Sequence, residues 1–286
     1  MLRIALATAL AALDLDDDLP PLRAALDRAG IHHETLAWDD VTVSWARFDA
    51  VLLRSTWDYT QRLPEFLAWC ERVAACTRLL NPLEVVRWNT DKRYLGELAG
   101  KGLPVVASHY IAPDQAADDF PAWPEFVVKP CVGAGSRDTQ RYRESERTAA
   151  LEHVRRLQAQ GRHVLVQPYL AQVDSAGETA LLFFGGRFSH AIRKGALLKP
   201  GEGPTRALFA PEHISAREPS ALEMAAARKV LAALPANPLL YARVDLLPSP
   251  EGPQLLELEL TEPSLFLGTA AGSADRLAQA LPGFVA

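Results

Sequence analysis

From its third residue the chain alternates short apolar runs with amphipathic segments, and no other feature restricts its fold as strongly. RIALATA, from Arg3, reads as a strand. LPPLRAALDRAG reads as a helix closed by Gly30, a residue type suited to the left-handed position past a helix end. IHHETLAW and DAVLLRS read as strands. LPEFLAWCERVAACT sets Leu63, Phe66, Leu67, Cys70, Val73 and Ala74 on one helical face. Repeated strand–helix–strand units of this kind call for a parallel sheet with helices on its faces. The opening MLRIALATALAALDLDDD also imitates a short signal peptide, but the alternation starts at once and favours a first strand.

After Asn81-Pro82 the pattern changes. Asp91 to Lys101 reads as a helix ended by Gly102, and FVVKPCVGAGSRDTQRYR as strand, glycine loop and strand. SERTAALEHVRRLQAQG is an amphipathic helix with Ser145 as its expected N-cap. HVLVQPYL is a strand that stops near Pro168. ETALLFFGGRFSHAIRKGA reads as a hairpin turning at Gly185-Gly186, SALEMAAARKVLAAL as a helix, and LYARVDLLPSPEGPQLLELEL as a second hairpin. The expected fold class is therefore α/β in the first part and α+β in the second. Soft boundaries divide it into 1–85, 86–168 and 169–286.

Composition narrows the function classes. A net charge of -5 gives no field to attract nucleic acid or an anionic membrane. No apolar run reaches the ~18 residues of a membrane span. Cys70, Cys76 and Cys131 are sparse and lack metal-binding spacing, so they read as free thiols in a reducing, cytoplasmic compartment.

The chemistry concentrates in three stretches. In LLELELTEPSLFL, Glu257 and Glu259 alternate along an apolar strand and share one face. Two carboxylates ~7 Å apart repel by about 2 kcal/mol at an effective dielectric near 20, so something must offset them. With a turn over 249–253, Asp245 stands across from Glu257. Either the face is solvated or the three acids hold Mg²⁺. In FVVKPCVGAGSRDT, Lys129 ends a strand before Gly133 and Gly135. Those glycines allow close backbone approach and an anion-binding nest, or simply make a hairpin turn. In NTDKRYL, Lys92 falls in the first turn of a helix, where a cation is unfavourable by about 0.3–1 kcal/mol.

NTDKRYLGELAGKGLPVV, FVVKPCVGAGS, VLVQPYL, AIRK, YARVDLL and LLELELTEPS occur in the order and approximate spacing of the ATP-grasp superfamily. Over roughly residues 81–267 the chain resembles glutathione-synthetase, RimK-like and cycloserine-synthetase-like ligases, and the N-terminal α/β piece fits the domain that precedes them. The resemblance implies that Lys92 and Lys129 contact the ATP phosphates. Gly133, Ala134, Gly135 and Ser136, within the loop from Val132 to Arg137, would close over them. Gln167, Pro168, Tyr169 and Leu170 would grip adenine, with Glu178 at or beside the ribose. Arg193, together with Lys129 and Arg206, would serve the transferred phosphoryl group. Asp245, Glu257 and Glu259 would bind two Mg²⁺, with Mn²⁺ as a substitute. Two departures stand out: Glu259 replaces the usual Asn, and no Asn follows Arg206. The resemblance also allows a homodimer, although no residue demonstrates one.

Substrate recognition is expected beyond the C-terminal ends of the parallel strands. There Arg54 is suited to a carboxylate, and Trp57, Asp58 and Tyr59 to an amine. The same stretch also reads as a packed helix-capping turn. Ser264 either touches substrate or stabilises the Pro263 turn. The expected activity is an ATP- and Mg²⁺-dependent ligase that converts a small amino-acid-like carboxylate to an acyl phosphate and joins it to an amine. The alternatives are an intramolecular cyclo-ligase, a kinase that stops at a phosphorylated product, and a nucleotide-binding regulatory module.

Overall fold

The computed structural model describes residues 1–198, 201, 203, 213–234, 236 and 238–285. Strand β1 (Arg3–Thr8), helix α1 (Leu19–Arg28), strands β2 (His32–Ala37) and β3 (Ala50–Leu53), helix α2 (Leu63–Ala74) and strand β4 (Arg78–Leu80) form the first unit. Its four strands are parallel in the order β2-β1-β3-β4, as the alternation required. Gly30 closes α1 at φ +66°, with the Ile31 amide donating back to the Leu26 carbonyl at 2.9 Å.

Helices α3 (Leu83–Asn89) and α4 (Tyr94–Gly100) follow. The sequence pattern predicts one helix from Asp91. Instead Asp91 accepts the Arg93 amide at 3.0 Å in the turn between two shorter helices, so Lys92 lies in that turn and not within a helix. Strands β5 (His109–Ile111), β6 (Glu125–Pro130) and β7 (Gln140–Arg143), helix α5 (Arg147–Gln158) and strand β8 (Val164–Pro168) make an antiparallel sheet ordered β5-β8-β6-β7. Ser145 does not cap α5. It sits inside a single 3-10 turn, Glu144–Glu146, and the Glu146 side chain accepts the Arg143 amide at 2.9 Å.

The last unit holds helix α6 (Val173–Ala176), strands β9 (Glu178–Phe184), β10 (Arg187–Lys194) and β11 (Ile214–Arg217), helix α7 (Ala221–Ala232) and strands β12 (Tyr241–Leu247) and β13 (Gln254–Glu259). Helices α8 (Ser273–Ala280) and α9 (Pro282–Val285) end it. The sheet order is β11-β10-β9-β12-β13, antiparallel throughout, and the β9–β10 turn is Gly185-Gly186 as expected.

Period-two alternation gives this five-stranded sheet two apolar faces. Ala180, Leu182, Phe184, Ile192 and Tyr241 pack with Ile4, Leu6, Leu52, Leu22 and Leu277, joining the sheet to the first unit and α8. Leu181, Phe183, Val244 and Leu258 pack with α7 and with Val85, Tyr94, Leu95 and Leu98. The segment carrying α3 and α4 therefore packs on the last sheet, although the sequence boundaries grouped it with the central one. Its side chains also take the place of a further strand along β13. Asn89 donates to the Leu258 carbonyl and accepts the Leu260 amide, both at 2.7 Å, while the Tyr94 hydroxyl bonds both polar groups of Leu258. Asn81, read only as a break, is buried and bonds Tyr241, Leu260 and Leu240.

Candidate active site

The sheet face that buries Leu182, Ile192 and Tyr241 continues past them into charged residues. Across the β12–β13 ladder Asp245 pairs with Glu257, and Arg243 with Glu259. Across β9–β10, Lys194 pairs with Glu178. Cations interleave with the acids. Lys194 Nζ lies 2.7 Å from Asp245 and 2.8 Å from Glu178. Arg243 donates to both oxygens of Asp245 at 2.9 Å and also pairs with Glu259. Lys92 Nζ lies 2.9 Å from Glu257 and donates to the Gly133 carbonyl at 2.6 Å. These cations offset the repulsion that the sequence posed for Glu257 and Glu259.

The electrostatics follow from burial and these pairings. Burial alone would raise the Asp245 carboxyl, but Arg243 and Lys194 outweigh it and hold the group well below the usual range. Lys92 and Lys129 likewise overcome burial and hold Glu257 low. Burial prevails at Glu178 and Glu259, each pushed up to about 7 against Lys194 and Arg243 respectively. Among the described residues, no group of three or more His, Cys, Asp or Glu side chains stands ready-made for a metal. Asp245, Glu257 and Glu259 nevertheless line one face with hard oxygen donors, the type that suits Mg²⁺. A metal would take over partners that the cations now hold.

Lys129 behaves differently. It is 8% exposed, and among the described residues its ammonium has neither ion pair nor hydrogen bond. Burial lowers its pKa, with Glu257 opposing that and Lys92 adding to it. Beside it the glycine loop, between β6 and β7, contains consecutive left-handed residues, Gly135 at φ +60° and Ser136 at φ +59°. The amides of Gly133, Ala134, Gly135 and Ser136 donate to no group among the described residues. Lys92 tethers the loop from below, and the Arg162 guanidinium donates to the Val132 carbonyl at 3.0 Å. A buried unpaired cation beside a run of free amides is built for an anion.

The expected adenine-gripping segment continues from β8. Gln167 donates to Ser108 at 3.0 Å, the Tyr169 amide to Glu125 O at 2.9 Å, and the Leu170 amide to nothing among the described residues. Arg141 stacks over the Tyr169 ring at 3.5 Å. Pro168 ends β8.

Several expected residues are placed elsewhere. Arg193 does not reach the acids. Its guanidinium donates to the Ser175 and Ala176 carbonyls at 2.9 and 2.6 Å, fastening α6. The cause is a register shift. The pairs Arg187–Phe184 and Phe188–Phe183, continued regularly, would set Arg193 opposite Glu178. An irregularity between Phe188 and His190 moves the register by one and sets Lys194 there. Gly177, at φ +74°, makes room for this, since a Cβ would lie 2.7 Å from Arg193 Nε.

Arg54 has no exposed surface and so has no room to clamp a substrate. It pairs with Asp18 at 3.2 Å and Asp16 at 3.5 Å and donates to the Pro263 carbonyl at 3.2 Å. Asp18 in turn accepts the Leu265, Phe266 and Leu267 amides. The group fastens the loop after β13 to the first unit. Asp58 is held by Trp38 Nε1 at 2.8 Å and by Arg62, also away from the acids. Trp57 Nε1 donates to the Glu262 carbonyl at 3.1 Å, and Tyr59 stands beside the Glu262 carboxyl. Ser264 contributes its carbonyl, which accepts from Arg243 at 3.0 Å. Arg206 lies outside the described residues.

Residues 4–81 match the family described as D-cycloserine synthetase DcsG, N-terminal domain. Cycloserine biosynthesis protein DcsG of Streptomyces lavendulae is 46% identical over 292 residues, covering 97% of each chain. The chain belongs to the DcsG family. The crystal structure of D-cycloserine synthetase DcsG agrees with it at a TM-score of 0.93 and 44% identity, over 99% of this chain and 100% of that one. The ATP-grasp ligase PsnB, complexed with a minimal precursor, matches at a TM-score of 0.64 and 22% identity over 99% of each chain, a likeness of fold. With DcsG-family membership and this fold, the chain is an ATP-grasp ligase, an enzyme that forms carbon–nitrogen bonds.

Proposed function

We propose that the enzyme uses Mg·ATP to activate the carboxylate of a small amino-acid-like substrate and joins it to a nitrogen of the same molecule, closing a ring. The observation that carries the nucleotide part is Lys129, buried beside Glu257 and, like the amides of the glycine loop, without a partner among the described residues. A triphosphate supplies the missing countercharge. Lys92 and the amides from Gly133 to Ser136 complete the phosphate cradle. The free Leu170 amide and the backbone from Gln167 through Tyr169 take the adenine. In this reading Glu178 lies at or beside the ribose, and it is tied through Lys194 to Asp245.

The donor set fits Mg²⁺. Asp245, Glu257 and Glu259 would hold it, with room in the assignment for two ions and for Mn²⁺ as a substitute. Bound there, it would neutralise charge on the transferring phosphoryl group. With the acids' charge taken up by Mg²⁺, Arg243, Lys194 and Lys92, which pair with those acids in the free protein, would be the cations nearest the anionic substrates. The substrate carboxylate attacks the γ-phosphorus and ADP departs. The nitrogen then attacks the carbonyl carbon of the acyl phosphate, and phosphate leaves with one former carboxylate oxygen. No enzyme nucleophile is needed. Burial pushes the Cys131 thiol up to about 12, which leaves it inert.

Ring closure is favoured over joining two molecules because the DcsG relatives are named for cycloserine, whose ring contains a bond between a carboxyl carbon and a side-chain nitrogen. The test is ADP release by the purified enzyme with Mg·ATP and fractionated amino-acid pools. One organic substrate should suffice. A requirement for a separate amine would make it an intermolecular ligase, and Mg·ATP binding without turnover would make it a regulatory module.

A further inference from the structure

Glu262 follows β13 in the TEPS stretch and is 7% exposed. Among the described residues no Lys, Arg or His forms an ion pair with its carboxyl, although every other acid of the site has one. It stands beside the Tyr59 hydroxyl and within electrostatic reach of Glu259 and Lys92. The first unit thus meets the acid strip at this carboxyl, with Tyr59 on one side and Trp57 Nε1 fixing its backbone carbonyl at 3.1 Å. Burial, aided by Glu259, pushes the group up to about 8, so it waits uncharged in the free protein. A buried carboxyl without a cation is costly to ionise until a positive group arrives.

We infer that Glu262, backed by Tyr59, is the subsite that recognises the ammonium group of the amino-acid substrate. This rests on the proposed amino-acid ligase reading and adds the residue that selects an amino acid over its des-amino analogue. An ammonium entering there donates to the carboxyl, supplies the absent countercharge and drives out the carboxyl proton. The substrate carboxylate is then left facing Arg243 and the phosphates. Trp57 and Tyr59 come from the first unit, so occupancy also ties that unit to the metal-binding acids.

The test compares two ligands on the whole enzyme in the presence of Mg·ADP: cycloserine, and isoxazolidin-3-one, the same ring without its amino group. Calorimetry on the wild type should show cycloserine binding at least about tenfold tighter. Glu262→Gln should bring the two rings to near-equal affinity while leaving Mg·ADP affinity unchanged. Glu262→Ala should do the same, and thermal unfolding of both variants reports that they fold. Equal affinities in the wild type, or a preference for cycloserine that survives in a folded Glu262→Gln enzyme, overturns the inference. If neither ring binds the wild type while Mg·ADP does, the amino-acid reading itself falls and takes the subsite with it.

Discussion

Lys92 joins Glu257, at 2.9 Å, to the glycine loop, whose Gly133 carbonyl accepts from the same ammonium at 2.6 Å. One side chain thus bridges the acids of the last sheet and the glycine loop of the central one. Glu257→Gln removes the charge that holds Lys92 and a proposed metal ligand together. Turnover with Mg·ATP should fall by at least ~100-fold, since metal-site substitutions of this kind commonly cost that much. The variant should still fold, with a loss of about 1–3 kcal/mol from the half-stranded lysine. Steady-state ADP release and chemical unfolding check both parts, and full activity would refute the metal assignment.

Lys129→Met should separate stability from function. In the free protein the ammonium is buried with no ion pair or hydrogen bond among the described residues, so replacing it with an apolar side chain of similar length should leave stability unchanged or raise it by about 1 kcal/mol. Mg·ATP affinity should drop at least about tenfold because the phosphates lose their innermost cation. Isothermal titration and thermal unfolding give the two readings. Unchanged nucleotide affinity would reduce the glycine loop to a hairpin turn.

Asp18→Asn should be among the more damaging single substitutions outside the acid strip. It strands the fully buried Arg54 guanidinium and weakens three bonds from the Leu265, Phe266 and Leu267 amides. Breaking one side of a buried pair costs roughly 3–5 kcal/mol. Urea unfolding should show a loss of that order, whereas Asp58→Asn, on a half-buried carboxylate, should lose far less.

Histidine burial sets an acid limit on stability. His190 donates from Nε2 to the Leu265 carbonyl at 3.0 Å and accepts from Ser189 at Nδ1, and burial pushes it down to about 4. Between its unfolded value near 6.5 and that folded value, the unfolded chain binds the extra proton. Stability from this group is therefore full above pH ~6.5 and is lost as pH falls. His153, also pushed down to about 4 by burial, acts in the same direction. Glu178, Glu259 and Glu262 act oppositely between ~4.3 and 7–8, because there the folded state holds the extra protons. The comparison with His190→Gln isolates the histidine: the wild type's advantage should shrink by about 2 kcal/mol between pH 7 and pH 5. A pH-independent difference would contradict the assignment.

The sequence carried the parts of this architecture that have short periods. Alternation along β13 put Glu257 and Glu259 on one face, and the first parallel sheet followed from its strand–helix rhythm; Asp245 does stand opposite Glu257, but the turn is 248–253, one residue longer than expected, and an irregularity between Asp245 and Leu246 restores the pair. What stayed hidden depended on distance along the chain or on irregularity. Arg54 looked like a substrate clamp because nothing local announces that Asp16 and Asp18 fold beneath it. Arg193 was expected at the phosphoryl group only through the resemblance, and the irregularity near Phe188 instead sets Lys194 opposite Glu178. Arg243 was overlooked although it shares a strand face with Asp245, a relation that the period of two does contain. Glu262 lies past the strand end, where that period no longer applies.

Phosphorylation of a substrate carboxylate at the acid strip, beside Lys129, is the central proposal. It is tested most directly by labelling that carboxylate with ¹⁸O and analysing the inorganic phosphate released in a single turnover. One ¹⁸O atom per phosphate is expected, carried over when the nitrogen displaces phosphate from the acyl phosphate. Unlabelled phosphate accompanying normal product formation would contradict it.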